Sequence, residues 1–210
     1  GPVLVDIPKD VTANKCEFTH QQPEQIRTVT TFDEERVAQA AEIINGAQRP
    51  LIYFGGGVRS AASCQPLRDL VHKAGIPATY TLMAAGVVPY GDPLNLGMIG
   101  MHGCYTANRA VNEADVVIAI GTRFSDRVAL KPSTSAKKAA IIQIDIDPSE
   151  IGKNVDIDLS IVGDAAYILR AMLPMIEPAQ HDEWMALIHD WQSHDYHPKS
   201  DPSRLMPHQV

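Results

Sequence analysis

Asp115-Val116-Val117-Ile118-Ala119-Ile120-Gly121-Thr122-Arg123 decides how this chain folds. Five apolar residues, mostly β-branched, stand between a charged residue and a glycine. A strand with one wet face alternates polar and apolar positions. An unbroken apolar run reads instead as a strand covered on both faces, the mark of a parallel sheet. Outward from it the pattern recurs. Pro50-Leu51-Ile52-Tyr53-Phe54 runs into Gly55-Gly56-Gly57, and Ile76 to Thr81 forms another strand. Ala140-Ile141-Ile142-Gln143-Ile144-Asp145-Ile146 and Leu159-Ser160-Ile161-Val162 supply two more. Helical patterns lie between them. Asp33 caps a helix burying Val37, Ala40, Ala41 and Ile44 that stops at Gly46, and a second runs from Ser60 to Lys73. A third spans Tyr105 to Glu113, and Asp164 caps a fourth that carries Ile168, Leu169, Met172 and Leu173. Strands alternating with helices predict an α/β fold: a doubly wound, Rossmann-like parallel sheet. Ligands of such sheets bind beyond the carboxyl ends of the strands.

Composition narrows the function classes. A net charge of −7 over 210 residues argues against a nucleic-acid surface, which needs clustered Lys and Arg. Cys16, Cys64 and Cys104 include no CxxC pair, which fits reduced thiols in a cytoplasmic protein rather than disulfides or a zinc site. No apolar run reaches the ~20 residues that span a bilayer. Gly1-Pro2-Val3-Leu4-Val5-Asp6-Ile7-Pro8 reads as a buried strand without an initiator Met, so a piece of a longer protein is expected. Residues 11–31 and the His-rich C-terminal region are polar and read as connecting segments.

The loops carry the chemistry. Gly55-Gly56-Gly57-Val58-Arg59-Ser60 lacks the last glycine of a dinucleotide fingerprint, and Thr79-Tyr80-Thr81-Leu82 offers no ribose-binding carboxylate. An ordinary NAD site is therefore disfavoured. The glycines can still present backbone amides to a pyrophosphate, or simply form a tight turn. Gly121-Thr122-Arg123-Phe124-Ser125-Asp126-Arg127-Val128 places two arginines around an aspartate, a grip for an anionic or planar group or else a surface ion-pair cluster. Leu96-Gly97-Met98-Ile99-Gly100-Met101-His102-Gly103 is too glycine-rich for a strand or helix core. It suits close backbone approach to a flat ring system, or a surface loop with two core methionines. His102 has no sequence partner as an acid or base. No metal set, nucleophile elbow or P-loop is present.

Together with Tyr105-Thr106-Ala107-Asn108, these two runs resemble the central domain of the acetolactate (acetohydroxyacid) synthase family of thiamine-diphosphate enzymes. The resemblance implies an FAD extended across the domain without a redox role. By position it assigns FAD contacts to Arg27, Gly55, Gly56, Gly57, Thr81, Leu82, Met83, His102, Gly103, Gly121, Thr122, Arg123, Asp126, Arg127 and Val128. The stretch from Asp145 and Ile146 to Gly163 and Asp164 matches the part that holds the adenosine half. Met98, His102, Asp126 and Arg127 resemble residues facing the substrate channel and inhibitor site. Ser125 and Ala84-Ala85 depart from the family pattern. The resemblance divides the chain into the tail of a pyrimidine-binding domain (1–20), a central FAD-binding domain (21–176) and a linker to a pyrophosphate-binding domain (177–210). It implies a parent that condenses two pyruvates, or pyruvate and 2-oxobutyrate, with loss of CO2. Thiamine diphosphate and Mg²⁺ would be held by the other domains, because the G-D-G…N motif is absent and Gly91-Asp92-Pro93 and Gly163-Asp164-Ala165 match it only in part. The chain alone is expected to be inactive, with no catalytic or metal residues of its own. A homo-oligomeric parent with a possible regulatory subunit is expected. The alternatives are a nucleotide-free spacer domain, or the central domain of a sister carboligase or oxidase.

Overall fold

In a computed structural model, residues 4–17, 19–20, 30–125, 139–195, 203 and 205 are described. A short helix α1 (Lys9–Thr12) precedes α2 (Glu34–Gly46), β1 (Pro50–Phe54) and α3 (Ala61–Ala74). Then come β2 (Ala78–Tyr80), β3 (Asn95–Met98), α4 (Tyr105–Glu113), β4 (Val116–Ile120) and β5 (Ala140–Asp145). β6 (Leu159–Val162), α5 (Ala165–Met172) and α6 (Asp182–Gln192) complete the order. The six strands form one sheet in the order β3-β2-β1-β4-β5-β6, and every pairing is parallel. The chain builds outward from β1 to β3, then returns to the centre at β4. That reversal puts a crevice between the carboxyl ends of β1 and β4.

Side-chain alternation splits the core into two layers. Ile52, Phe54, Ile118, Ile120, Ile142 and Ile144 face α2, α3 and α5. Leu51, Tyr53, Val117 and Ala119 face α4 and α6. Both faces of β1 and β4 are buried, as their unbroken apolar runs require. Helix ends follow local chemistry. Asp33 accepts the Arg36 amide at 3.1 Å, Asp164 accepts Ala166 at 2.7 Å, and Gly75 closes α3 in the left-handed conformation.

Three expectations are corrected. Asn95–Met98 is an edge strand, although the glycine-rich run that begins at Leu96 reads as non-strand. Pairing on one side only, with a register shift between Ala78 and Tyr80, lets it carry Gly97 at φ 86°. Leu4, Val5 and Ile7 are exposed and form no strand, because no described neighbour supplies a ladder for them. The polar C-terminal region contains α6, which docks Trp184, Ile188 and Trp191 on the second layer. Trp184 is 1% exposed and donates Nε1–H to the Pro50 carbonyl at 3.0 Å.

Candidate functional site

The loops leaving β1 and β4 cross in backbone contact, and glycine makes the crossing possible. The Gly55 amide donates to the Ile120 carbonyl at 3.0 Å, and the Gly57 amide to the Gly121 carbonyl at 3.1 Å. A Cβ on Gly57 would stand 2.6 Å from the Gly121 Cα, and one on Gly55 would strike the Gly121 carbonyl. Gly121 has φ 58°, and its amide donates to Ile144 in β5 at 2.8 Å. Gly55, Gly57 and Gly121 therefore bind each other first. Exposed Gly56, in the 3₁₀ turn Gly56–Val58, is the glycine of the first loop whose amide β4 does not engage.

Above this crossing lies a cleft of about 480 Å³ that spans the ends of four strands. Thr81 and Met83 line it after β2, Gly55–Gly57 and Arg59 after β1, Thr122, Arg123 and Ser125 after β4, and Asp145, Asp147 and Glu150 after β5. Its charge is divided: the arginines follow the central strands, while the carboxylates gather at β5. Burial raises the pKa of Asp145, and the Asp147 amide at 3.0 Å opposes that rise. The Ser149 hydroxyl and amide hold exposed Asp147 below the usual carboxylate range.

On the floor, Tyr53 is buried and its pKa is pushed up to about 12 by desolvation. The Thr122 hydroxyl lies close enough to temper that rise. The two oxygens nonetheless miss hydrogen-bond geometry, and each is buried without a partner. Phe124 packs edge-on against the Tyr53 ring at 5.3 Å and takes a left-handed backbone at φ 46°.

The structure gathers Gly55, Gly56, Gly57, Thr81, Met83, Gly121, Thr122, Arg123 and Asp145 into this cleft. Leu82 and Ile146 are next in sequence to lining residues and are largely exposed. Gly163 donates its amide to the Asp145 carbonyl at 2.9 Å, while Asp164 serves α5 as its cap. His102 and Gly103 line a separate cavity with Cys104, Tyr105, His194 and Asp195. There burial, then the Asp195 charge, raises the Cys104 pKa. Asp195 also accepts the Thr106 amide at 3.0 Å, capping α4 from the far side of the chain. Arg27, Asp126, Arg127 and Val128 lie outside the described residues. The Leu96–Gly103 glycines have local reasons too: a Cβ on Gly97 would strike Cys104 Sγ, and Asn108 clasps both the amide and carbonyl of Gly100.

Sequence reading missed Tyr53 and Arg59 as cleft residues. Arg59 stands two residues past the glycines, a signal that was available. Tyr53 gave none, because a strand tyrosine reads as core. Among the described residues no group of three His, Cys, Asp or Glu side chains could hold a metal ion, and no helix is long and apolar enough to cross a membrane.

Residues 37–172 match the family model described as thiamine pyrophosphate enzyme, central domain. The chain is 40% identical over 193 residues to the acetolactate synthase isozyme 1 large subunit of Escherichia coli, covering 91% of this chain and 34% of that protein. It is 42% identical over 183 residues to a probable acetolactate synthase large subunit of Methanococcus aeolicus, with 84% and 31% covered. Against the acetolactate synthase large subunit of Parasynechococcus marenigrum it is 39% identical over 212 residues, with 96% and 34% covered. The chain thus spans about a third of the length of these relatives.

Proposed function

The chain belongs to the family of thiamine pyrophosphate enzyme central domains, and from that premise we propose that it is the FAD-binding middle domain of an acetolactate synthase. The observation that carries this reading is the cleft across β2, β1, β4 and β5. Its residues suit a long dinucleotide. Gly56 keeps an amide that β4 does not use, and Arg59 and Arg123 supply positive charge. Asp145 and Asp147 would accept ribose hydroxyls at the β5 end, with Ile146, Gly163 and Asp164 beside the adenosine half. Thr81, Leu82 and Met83 would lie along the flavin half. By the family resemblance Arg27, His102, Gly103, Asp126, Arg127 and Val128 complete the contacts.

In this reading FAD is held for structure, with no electron transfer to the carboligation. The whole enzyme would condense two pyruvates, or pyruvate and 2-oxobutyrate, to 2-acetohydroxy acids with loss of CO2, in the branched-chain amino acid route of the cytoplasm. Thiamine diphosphate and Mg²⁺ would sit in the flanking domains. Residues 1–20 would close the preceding domain, 21–176 form the central one, and 177–210 lead to the next, with α6 the packed part of that link. A homo-oligomer with a regulatory subunit is the expected assembly.

Titrating FAD into the purified chain tests the proposal. Flavin absorbance that co-elutes with protein supports it, and a colourless protein peak favours a nucleotide-free spacer. Supplying thiamine diphosphate, Mg²⁺ and pyruvate should yield no acetolactate. Its appearance would overturn the placement of the chemistry in other domains.

A further inference from the structure

One polar side chain is buried in the middle of β5. Gln143 is 1% exposed and stands in register between Ala119 of β4 and Ser160 of β6. An amide there costs stability unless both its ends are bonded, and an apolar residue would fill the strand without that cost. Both ends are bonded, and both to one turn. Gln143 Nε2–H donates to the Glu150 carbonyl at 3.0 Å, and Oε1 accepts the Gly152 amide at 2.9 Å. We propose that Gln143 is a positioning residue of the nucleotide site, setting the turn after β5 so that Asp147 meets the ribose of the ligand. The inference rests on the nucleotide reading above and adds a role for a buried strand residue outside the lining of the cleft.

The turn has little else to place it. Residues 146–149 are exposed, so apolar packing does not hold them. Asp147 accepts the Ser149 amide at 2.9 Å and its hydroxyl at 2.7 Å, and its own amide donates to Asp145 at 3.0 Å. Those bonds are local. They shape the 3₁₀ turn Pro148–Glu150 without fixing where it stands against the sheet. Gln143 supplies that anchor from inside the strand, and Asn154 adds a second by donating to the Arg123 carbonyl at 2.8 Å. A carboxylate that must meet a sugar hydroxyl depends on such support, because small misplacements cost binding.

A double-mutant cycle on the FAD affinity of the chain tests this. Gln143→Met removes the amide at nearly constant shape, and Asp147→Asn removes the charge while keeping a cap for the turn. Each single variant should bind FAD about tenfold more weakly, the effect of losing one hydrogen bond to a charged group. The double variant should bind no more weakly than Asp147→Asn. Without ligand, the Gly152 amide should exchange faster in Gln143→Met, while β1 and β4 keep their protection. Unchanged FAD affinity in either single variant, losses that add in the double, or unchanged Gly152 exchange would each overturn the positioning role and leave the flavin reading in place. If the wild-type chain binds ADP but not FAD, the flavin is removed and the same cycle on ADP decides the role. If it binds neither, the nucleotide reading falls and the role with it. Should Gln143→Met fail to fold, Gln143→Thr, smaller and suited to a strand, replaces it in the cycle.

Discussion

The two edges of one sheet are finished differently. At the amino edge the chain satisfies itself. Asp115 accepts the Gln48 and Arg49 amides at 2.8 and 2.9 Å, Asp158 accepts Ile141 at 2.8 Å, and Lys73 Nζ donates to Leu173 at 2.8 Å. Asn45 donates to Met175 and accepts from Glu177, and Trp184 closes on Pro50. At the carboxyl edge the hydroxyls of Tyr53, Thr106 and Thr122 are buried without partners, and glycine loops cross under an open cleft. One edge is organised for stability. The other leaves buried hydroxyls unpaired and opens a cleft lined by charged side chains and glycine backbone.

That contrast breaks most visibly at α6. Trp184→Ala should cost roughly 3–5 kcal/mol in urea unfolding. If α6 belongs to the self-contained edge, nucleotide affinity measured on the remaining folded protein should hold. Gly121→Ala comes next. Its Cβ would press on the Gly57 backbone from a left-handed position, costing about 2 kcal/mol or more. Unlike Trp184→Ala, it should also abolish nucleotide binding, and retained binding would show that the crossing does not shape the cleft. Asp115→Ala frees two amides that water can reach, so a loss of about 1–2 kcal/mol with unchanged ligand affinity is expected.

The smallest effect is a pH dependence at the amino edge. Burial lowers the pKa of His181, although its contact with the Ala74 carbonyl and the Asp115 charge act the other way. A histidine whose folded pKa lies below its unfolded value of about 6.5 binds protons more readily when unfolded. Its contribution to stability is therefore complete above about pH 6.5 and lost as the pH falls from there towards the folded pKa. Urea midpoints between pH 7.5 and 5 should decline more steeply for wild type than for His181→Asn. Parallel slopes would remove His181 from the account.

Much of the sheet was legible because burial on both faces leaves a compositional trace. β1 and β4 are apolar throughout and β5 is broken only by Gln143 and Asp145, and no amphipathic helix reads that way over so few residues. β3 left no such trace, since an edge strand tolerates Asn95 and Gly97. α6 did leave one: Trp184, Ile188 and Trp191 fall at helical spacing, but histidines and carboxylates obscured it. Within the cleft, the glycine loops and Asp145 could be read from strand ends. Tyr53 could not, because apolar neighbours in sequence say nothing of where a hydroxyl points.

The sequence by itself determined the α/β class, most strands, and the loops that crowd the carboxyl edge. Local periodicity and backbone freedom are written residue by residue, so they survive without a fold. Only the tertiary structure decided that Gly55, Gly57 and Gly121 grip one another, that His102 faces a different cavity, and that two hydroxyls far apart in the chain share a partnerless floor. Those facts depend on strand order, which brings β1 beside β4 across more than sixty residues of chain, and no local pattern encodes that adjacency.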